Sequence, residues 1–205
     1  MKNKIVIIIS IFALFLSSSL FYGCGYNKLV SLEEGVNSGW SQVENQYQRR
    51  ADLIPNLVKT VEGAADFEKS VLTEVTEMRS RVGQVKLNAE DLNDPEKFAA
   101  YQKAQDGLSS ALSRLLVVTE NYPQLKSNES FLQLQSQLEG TENRISVERM
   151  KFNEAVQRFN TERRSFPTII FAGIMGFKEK QYFKGKEGTD QPPDVKFNFD
   201  KKKQN

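Results

Sequence analysis

One helical periodicity dominates the first third of the chain. Apolar residues recur every three or four positions from Leu29 to Val61, which is the spacing of a single buried helix face. This face consists of Leu29, Leu32, Val36, Trp40, Val43, Tyr47, Ala51, Ile54, Val58 and Val61. Between Val36 and Val58 the spacing averages about 3.67 residues, so we expect a nearly straight helix rather than a tightly supercoiled heptad strand. Its expected end is Gly63.

Three further segments show helical periodicity. A second helix is expected at about residues 66–82, followed by a loop in which Asp94 caps a third helix and Pro95 occupies its first position. The third helix should close before Pro123, because the residue preceding a proline is pushed out of the helical region. A fourth helix opens at residues 127–128, and no segment of the body alternates like a strand.

These segments predict an all-α fold, an antiparallel four-helix bundle with long first and last helices, preceded by an N-terminal membrane anchor. Short connections favour antiparallel neighbours. The first and last helices, of about 37 and 38 residues, would each be roughly 55 Å long. We assign residues 1–25 to a signal or anchor segment, 26–183 to the helical bundle, and 184–205 to a polar tail that we expect to be disordered.

The N-terminus has the pattern of a membrane-targeting segment. Lys2 and Lys4 precede an apolar run from Ile5 that is about 18 residues long if counted to Tyr22, near the lower limit for spanning a bilayer. Counted only to Leu16, the run has the length of a signal-peptide core. The lysines before the run and the acidic residues after it favour a membrane protein whose N-terminus is cytoplasmic and whose bulk lies outside the cytoplasm.

Cys24, the single cysteine, allows two interpretations of this anchor. A glycine directly before a cysteine and just past an apolar core resembles the lipobox at which bacterial lipoproteins are cleaved and acylated, which predicts lipidation of Cys24. The bulky Phe21 and Tyr22 depart from that pattern. The alternative is an uncleaved spanning anchor with Cys24 at the interface. Either form tethers the protein to membrane lipid.

The stretch WSQVENQYQRRADLIPNLV, residues 40–58, combines the core face with a proline and many polar side chains. Pro55 removes one backbone hydrogen bond to Ala51 and should bend the helix. Most of the polar side chains fit a solvated helix face. Asn56 lies on this face and is a candidate interaction residue.

The two adjacent arginines of this stretch allow a second interpretation. If the first and fourth helices pair antiparallel, the arginines come level with LEGTENRI, where polar residues interrupt the apolar seam. A partly buried polar layer would then join Arg49 or Arg50 to Glu139 or Glu142. Such a layer would determine the register of the helices more than it would add stability.

The composition argues against most enzyme classes. With no histidine and one cysteine, the chain lacks the commonest general base and the commonest metal ligand, and it cannot form a thiolate metal cluster. It has no Gly-rich phosphate loop and no nucleophile elbow. A net charge of +2, from 28 basic and 26 acidic residues mixed along the chain, does not indicate nucleic-acid binding. We expect no catalytic residues, no metal and no cofactor.

A second apolar segment, FPTIIFAGIMGF at residues 166–177, follows the fourth helix. It is too short to span a bilayer, and the fourth helix should end on the side where the first begins. Two placements stay open. The segment either folds back on the long helices, or dips into the membrane interface with Lys178 and Lys180 at the headgroups.

Three blocks of the sequence resemble the bacterial LemA family. They are YNKLVSLEEGVNSGWSQVENQYQRRADLIPNLVKTVEG, ENYPQLKSNESFLQLQSQLEGTENRI, and RFNTERRSFP followed by GF and YF, in that order from about Tyr26 to Phe183. The resemblance implies a membrane-anchored helical bundle with one N-terminal membrane segment and no defined enzymatic activity. The similarity of family members to a magnetosome-membrane protein implies a role in membrane organisation. The GCG that ends the anchor departs from the commoner pattern and would let lipidation replace the spanning helix.

These features predict a non-enzymatic, membrane-anchored envelope protein whose exposed surface organises or recruits other membrane proteins. Its partners would be membrane lipid, through the anchor, and another membrane or envelope protein, with no nucleic acid. The alternative is a binding protein for a lipid or other amphiphile, which would need an apolar cavity near Trp40 and residues 166–177.

Acylation of Cys24 can be tested directly. Cys24→Ala should accumulate an uncleaved precursor and lose all labelling by a fatty-acid analogue, because the thiol is the acceptor of the acyl chain. Metabolic labelling and the mass of the mature protein measure both effects. A wild-type chain that keeps its full precursor mass and takes up no label contradicts acylation and leaves the spanning anchor.

Overall fold

The computed structural model describes residues 2–63 and 67–185, with side chains from residue 25 onward except at position 171. All regular structure in these ranges is helical, so the predicted all-α class is confirmed for this part of the chain. The helices are α1 (Lys2–Glu62), α2 (Lys69–Gln84), α3 (Pro95–Thr119), α4 (Pro123–Lys126), α5 (Glu129–Arg164) and α6 (Thr168–Ala172). A 3-10 turn, Ala89–Asn93, lies between α2 and α3.

Four of these helices have bundle length, as expected, and two are short. The four predicted helices correspond to α1, α2, α3 and α5, while α4 and α6 were not expected; α4 begins at Pro123 and α6 directly follows Pro167. Two predicted starts are confirmed in detail. The Asp94 carboxylate accepts hydrogen bonds from the N–H groups of Glu96 and Lys97, and the Asn128 side chain accepts one from Phe131 N–H.

The predicted anchor belongs to the same helix as the start of the bundle. α1 runs without a break from Lys2 to Glu62, so any segment held in a membrane would continue directly into the core helix. The side chains of residues 2–24, including Cys24, lie outside the described part of the chain. Where side chains are described, no helix combines the length and apolar character needed to cross a bilayer. Residues 186–205 of the predicted tail also lie outside the described residues.

The long helices pair antiparallel in two couples. α1 packs along α5, and ion pairs between Lys28 and Glu162 and between Arg50 and Glu142 show that the two helices run in opposite directions. α2 packs along α3 in the same antiparallel sense, since Glu74 pairs with Arg114 and Met78 lies beside Gly107. The part of α1 around Lys28 and the end of α5 therefore lie at one end of the bundle, which we call the proximal end, and the end of α1 lies at the distal end.

The core consists of two apolar clusters stacked along the bundle. The proximal cluster is rich in aromatic side chains and includes Trp40, Phe98 and Phe152. The distal cluster is mainly aliphatic and includes Ile54 and Leu108. The buried polar side chains Arg50, Gln105 and Thr141 lie between the two clusters on α1, α3 and α5. A polar layer thus divides the hydrophobic core.

Burial along α1 follows a heptad and not the expected straight-helix spacing. From Val36 the buried positions are Val36, Trp40, Val43, Tyr47, Arg50, Ile54, Leu57 and Val61. Their steps alternate between four and three residues. Arg50 and Leu57 occupy the core where Ala51 and Val58 were expected, and the latter two are only half-buried. The expected spacing was wrong because it counted apolar side chains alone, whereas an arginine stem can fill a core position when its head group is paired.

Pro55 lies inside α1 and leaves the Ala51 carbonyl without its usual hydrogen bond within the helix. A side chain of α2 binds that carbonyl instead. Proline has no N–H, so the Ala51 carbonyl cannot accept the usual hydrogen bond from residue 55. Arg79 of α2 replaces that donor, with its Nε at 3.1 Å from the Ala51 oxygen. α1 continues through Pro55 as one helix, and the bend expected there stays a prediction.

This replacement predicts coupling between Arg79 and Pro55. In a fragment of residues 26–185, Arg79→Ala should lower the free energy of unfolding by about 1 kcal/mol, because it unpairs a main-chain carbonyl. In a Pro55→Ala background the restored N–H bonds that carbonyl, so Arg79→Ala should cost much less. Pro55→Ala alone should stabilise the fragment or leave its stability unchanged. Urea unfolding of the four proteins measures the coupling, and equal costs in both backgrounds would contradict it.

Candidate functional site

The polar layer is built around the fully buried side chain of Arg50. Its Nη1 donates hydrogen bonds to Glu142 Oε1 at 2.6 Å and to Ser109 Oγ at 2.5 Å. Its Nη2 donates to Gln105, at 2.5 Å from Oε1 and 3.4 Å from the main-chain oxygen. One guanidinium from α1 is therefore bound by side chains from both α3 and α5. A buried charge of this kind is tolerated only when it is paired and hydrogen-bonded.

The structure brings together two of the five predicted polar residues. Arg50 meets Glu142, at the level where the apolar seam of α5 was expected to be interrupted. Arg49 and Asn56 are exposed on the outer face of α1. Glu139 is also exposed, and its Oε1 accepts a hydrogen bond from Gln135 on its own helix at 2.9 Å.

Two hydrogen-bond partners of Arg50, Gln105 and Ser109, were not predicted from the sequence, although the pattern of α3 indicates the first of them. Gln105 lies four residues after Tyr101 and three before Leu108, so a polar side chain occupies a core position of that helix. A buried amide at such a position indicates a polar partner across the bundle. Ser109, the other partner, is indistinguishable in sequence from a surface serine.

Tyr47 packs against the layer from the proximal side. The Arg50 guanidinium carbon lies 5.2 Å from the centre of the Tyr47 ring. Burial raises the pKa of Tyr47 to about 12, and the pKa of Tyr101 is raised for the same reason. Because the folded-state pKa of Tyr47 lies above the ordinary value of 10, its neutral phenol contributes stability that is fully present below pH 10. This stability is lost as the pH rises through about 12.

Glu142 connects the buried layer to a polar groove between α3 and α5. Its side chain remains 38% exposed, so one edge of the ion pair faces the groove. Asp106 and Arg149 form a second ion pair on the same groove, with 3.1 Å between Asp106 Oδ1 and Arg149 Nη1. Across the described residues, no group of histidine, cysteine or carboxylate side chains could hold a metal ion. The groove therefore carries two ion pairs, Arg50 with Glu142 and Asp106 with Arg149.

Residues 177–185 form an extended segment, the strap, that side-chain amides hold to the bundle. Asn160 donates to the Lys180 carbonyl at 2.9 Å and accepts from its N–H at 3.0 Å. Asn153 makes the same two bonds with Phe183, at 3.0 and 2.9 Å. Gln102 of α3 repeats the pattern with Lys184, at 2.8 and 3.2 Å. Three amides thus bind the strap backbone as a neighbouring β-strand would.

The strap also completes the proximal core cluster. The Phe183 ring stacks on Trp40, with 6.1 Å between ring centres, and contacts Phe98 and Phe152 at 4.9 and 5.5 Å. Arg149 covers its outer side, at 4.4 Å from the ring centre. The region beside Trp40 is therefore filled by the chain's own phenylalanine.

The segment at 166–177, for which two placements were open, packs with one face and exposes the other. Thr168, Ala172 and Phe177 are buried, whereas the remaining described apolar side chains are exposed. Lys180, which the interfacial placement put at the lipid headgroups, is instead buried, with its Nζ 2.7 Å from a Glu33 carboxylate oxygen. This part of the interfacial placement was wrong because the strap turns inward after Phe177, which carries Lys180 onto α1.

The layer predicts a large cost for removing the Glu142 carboxylate. In the 26–185 fragment, Glu142→Ala should lower the free energy of unfolding by on the order of 3 kcal/mol, because the Arg50 charge stays buried without its counter-ion. Glu139→Ala and Arg49→Ala, which change exposed side chains, should each cost only a few tenths. Urea unfolding should give a coupling of about 1 kcal/mol or more between Arg50→Ala and Glu142→Ala. Losses as small for Glu142→Ala as for Glu139→Ala would contradict a structural role.

The amide contacts predict slow hydrogen exchange in a segment without regular structure. The N–H groups of Lys180, Phe183 and Lys184 all donate to side-chain amides, so they should exchange slowly in the wild type. Asn153→Ala should accelerate exchange across the strap and destabilise the fragment by about 1 to 2 kcal/mol, since two hydrogen bonds are lost. Asn143→Ala, on an exposed position of α5, is the matched control. Equal strap exchange in Asn153→Ala and wild type would refute this role.

Similarity to known proteins covers most of the bundle, including the polar layer, and the strap. A family model described as LemA family matches residues 39–197. Magnetosome protein MamQ 2 of Paramagnetospirillum magneticum is 30% identical over 183 residues, covering 82% of this chain and 67% of its own. Magnetosome protein MamQ of Magnetospirillum gryphiswaldense is 28% identical with the same coverage, and Protein LemA of Metamycoplasma hominis is 22% identical over 162 residues, covering 78% and 69%. The resemblance inferred from the sequence blocks is confirmed, and the chain belongs to the LemA family.

Proposed function

We propose that this protein is a non-enzymatic interaction module, anchored in a bacterial envelope membrane by its N-terminus, that organises or recruits other membrane proteins. The observation that carries the proposal is the continuity of α1. The helix that contains the apolar N-terminal run continues into the core of the bundle. A bundle joined to its anchor by one helix is suited to presenting a defined surface beside a membrane.

The exposed surface of the bundle supports recognition better than catalysis. α1 presents Arg49 and Asn56 outward, and α3 and α5 form the charged groove around Asp106, Glu142 and Arg149. Charged groups at such a surface favour specificity for a complementary partner. The names of the MamQ relatives associate them with the magnetosome, and by likeness they favour membrane organisation for this chain.

The alternative, a binding protein for a lipid or other amphiphile, has less support. It would need an apolar cavity between Trp40 and residues 166–177. Phe183 occupies the space beside Trp40, and Phe177 packs against Phe159 with 6.2 Å between ring centres. A ligand in that region would have to displace the strap and break its amide contacts.

Site-directed crosslinking in the native membrane tests the proposal. A photoreactive phenylalanine analogue would replace Arg49, Asn56 or Ser146, which are exposed positions on α1 and on the groove side of α5. Irradiation of intact cells followed by mass spectrometry should give the same membrane or envelope protein from neighbouring positions. The analogue at the exposed Gln133 of distal α5 controls for random collision. Absence of the chain from the membrane fraction, or adducts equal at all positions including the control, would overturn the proposal.

A further inference from the structure

A group of exposed apolar side chains lies on one short segment at the proximal end of the bundle. It consists of Phe166, Ile169, Ile170, Ile174 and Met175, and we call it the α6 patch. Phe166 is 82% exposed and Ile174 81%, values typical of side chains that touch almost nothing in the folded chain. Five large apolar side chains exposed within ten consecutive residues differ from single surface apolar residues, which need no explanation.

The patch is held in position by its other face. Thr168, Ala172 and Phe177 of the same segment are buried, and Phe177 N–H donates to the Ala172 carbonyl at 3.0 Å. The Phe177 ring contacts Phe159 of α5 and Tyr26 of α1, with 6.2 and 5.8 Å between ring centres. The segment therefore presents its exposed residues on a fixed support.

The contact with Tyr26 determines where the patch lies relative to the predicted anchor. Tyr26 follows the last residue of the N-terminal apolar run, Tyr22, by four positions of the continuous helix α1. At a rise of about 1.5 Å per residue, the two lie roughly 6 Å apart along the helix axis. The patch is consequently level with the point at which α1 would leave a bilayer. Tyr26 and Val30 are themselves exposed, which extends the apolar surface onto α1.

Exposed cations flank the same end of the bundle. Arg164 ends α5 just before the patch, and Lys178 lies three positions after Met175. Lys28, beside Tyr26, keeps 60% of its side chain exposed while paired with Glu162. Arg164 and Lys178 could therefore meet anionic lipid headgroups beside the apolar side chains, while Glu179, also exposed, is paired with Arg163.

We propose that the α6 patch inserts into the interfacial region of the same bilayer that carries the N-terminal apolar run. The segment is too short to span, so it would reach the boundary between headgroups and acyl chains and no deeper. The bundle would then contact the membrane at two places, the anchor helix and the patch. A second contact restricts tilting about the anchor and holds one face of the bundle toward lipid. This inference rests on the membrane anchoring in the proposed function.

Lipid crosslinking of the full-length protein in bacterial membranes tests the insertion. The photoreactive phenylalanine analogue would replace Ile170 or Ile174, and Val117, which is 66% exposed near the distal end, would be the matched control. After irradiation, intact-mass spectrometry should show phospholipid adducts at both patch positions and none above background at Val117. Ile170→Glu should reduce the lipid adduct at Ile174 severalfold, whereas Val117→Glu should leave it unchanged.

The outcomes separate this inference from the proposed function. If the chain sediments with membranes while Ile174 yields only protein adducts, or none, insertion of the patch is overturned and anchoring stands. An adduct at Ile174 that Ile170→Glu leaves undiminished also overturns insertion. If the chain is absent from the membrane fraction, the anchoring and the inference that rests on it are both overturned.

Discussion

The Arg50 guanidinium has no contact with solvent, and its neutralisation joins three helices at one level of the bundle. Moving such a charge out of water is costly unless hydrogen bonds and a counter-ion replace the lost hydration. Glu142 supplies the charge, while Gln105 and Ser109 supply further acceptors. If α5 slid along α1 by four residues, about one turn, Glu142 would leave the guanidinium and Leu138 or Ser146, neither of which carries a charge, would take its level. The polar layer thus makes shifted alignments of α1 and α5 unfavourable. The apolar seams of the two helices alone would tolerate such shifts.

Local sequence signals predicted the helix ends, because caps act within a few residues. Asp94 with Pro95 and Asn128 fulfil their predicted roles through bonds that span no more than three positions. The core face of α1 was harder to predict. Apolar residues alone fit two nearly equal spacings, and only the burial of Arg50 decides in favour of the heptad. The sequence predicted the ion pair only as a choice between Arg49 and Arg50 and between Glu139 and Glu142. It indicates how far along a helix a residue lies more readily than whether the side chain faces the core.

The strap could not be predicted in the same way, since its partners are distant in the chain. Asn153, Asn160 and Gln102 look like ordinary helix-surface residues, and they bind main-chain atoms 20 to 82 positions away. Main-chain groups carry no residue-specific signal. The strap explains why the proximal cluster is aromatic: Phe183 enters it from outside the helices, and flat rings from α1, α3 and α5 surround that side chain.

Because the strap runs along the bundle away from its proximal end, the chain enters the bundle and leaves it at different heights. It starts with Phe177 beside Tyr26 and ends with Lys184 beside Arg149, whose position on α5 is 15 residues before Arg164. At about 1.5 Å per residue, this places the exit roughly 22 Å from the proximal end. Whatever follows residue 185 therefore departs from the flank of the bundle. A tag or domain fused directly after residue 185 would be tethered at mid-height, clear of the surface from which α1 enters.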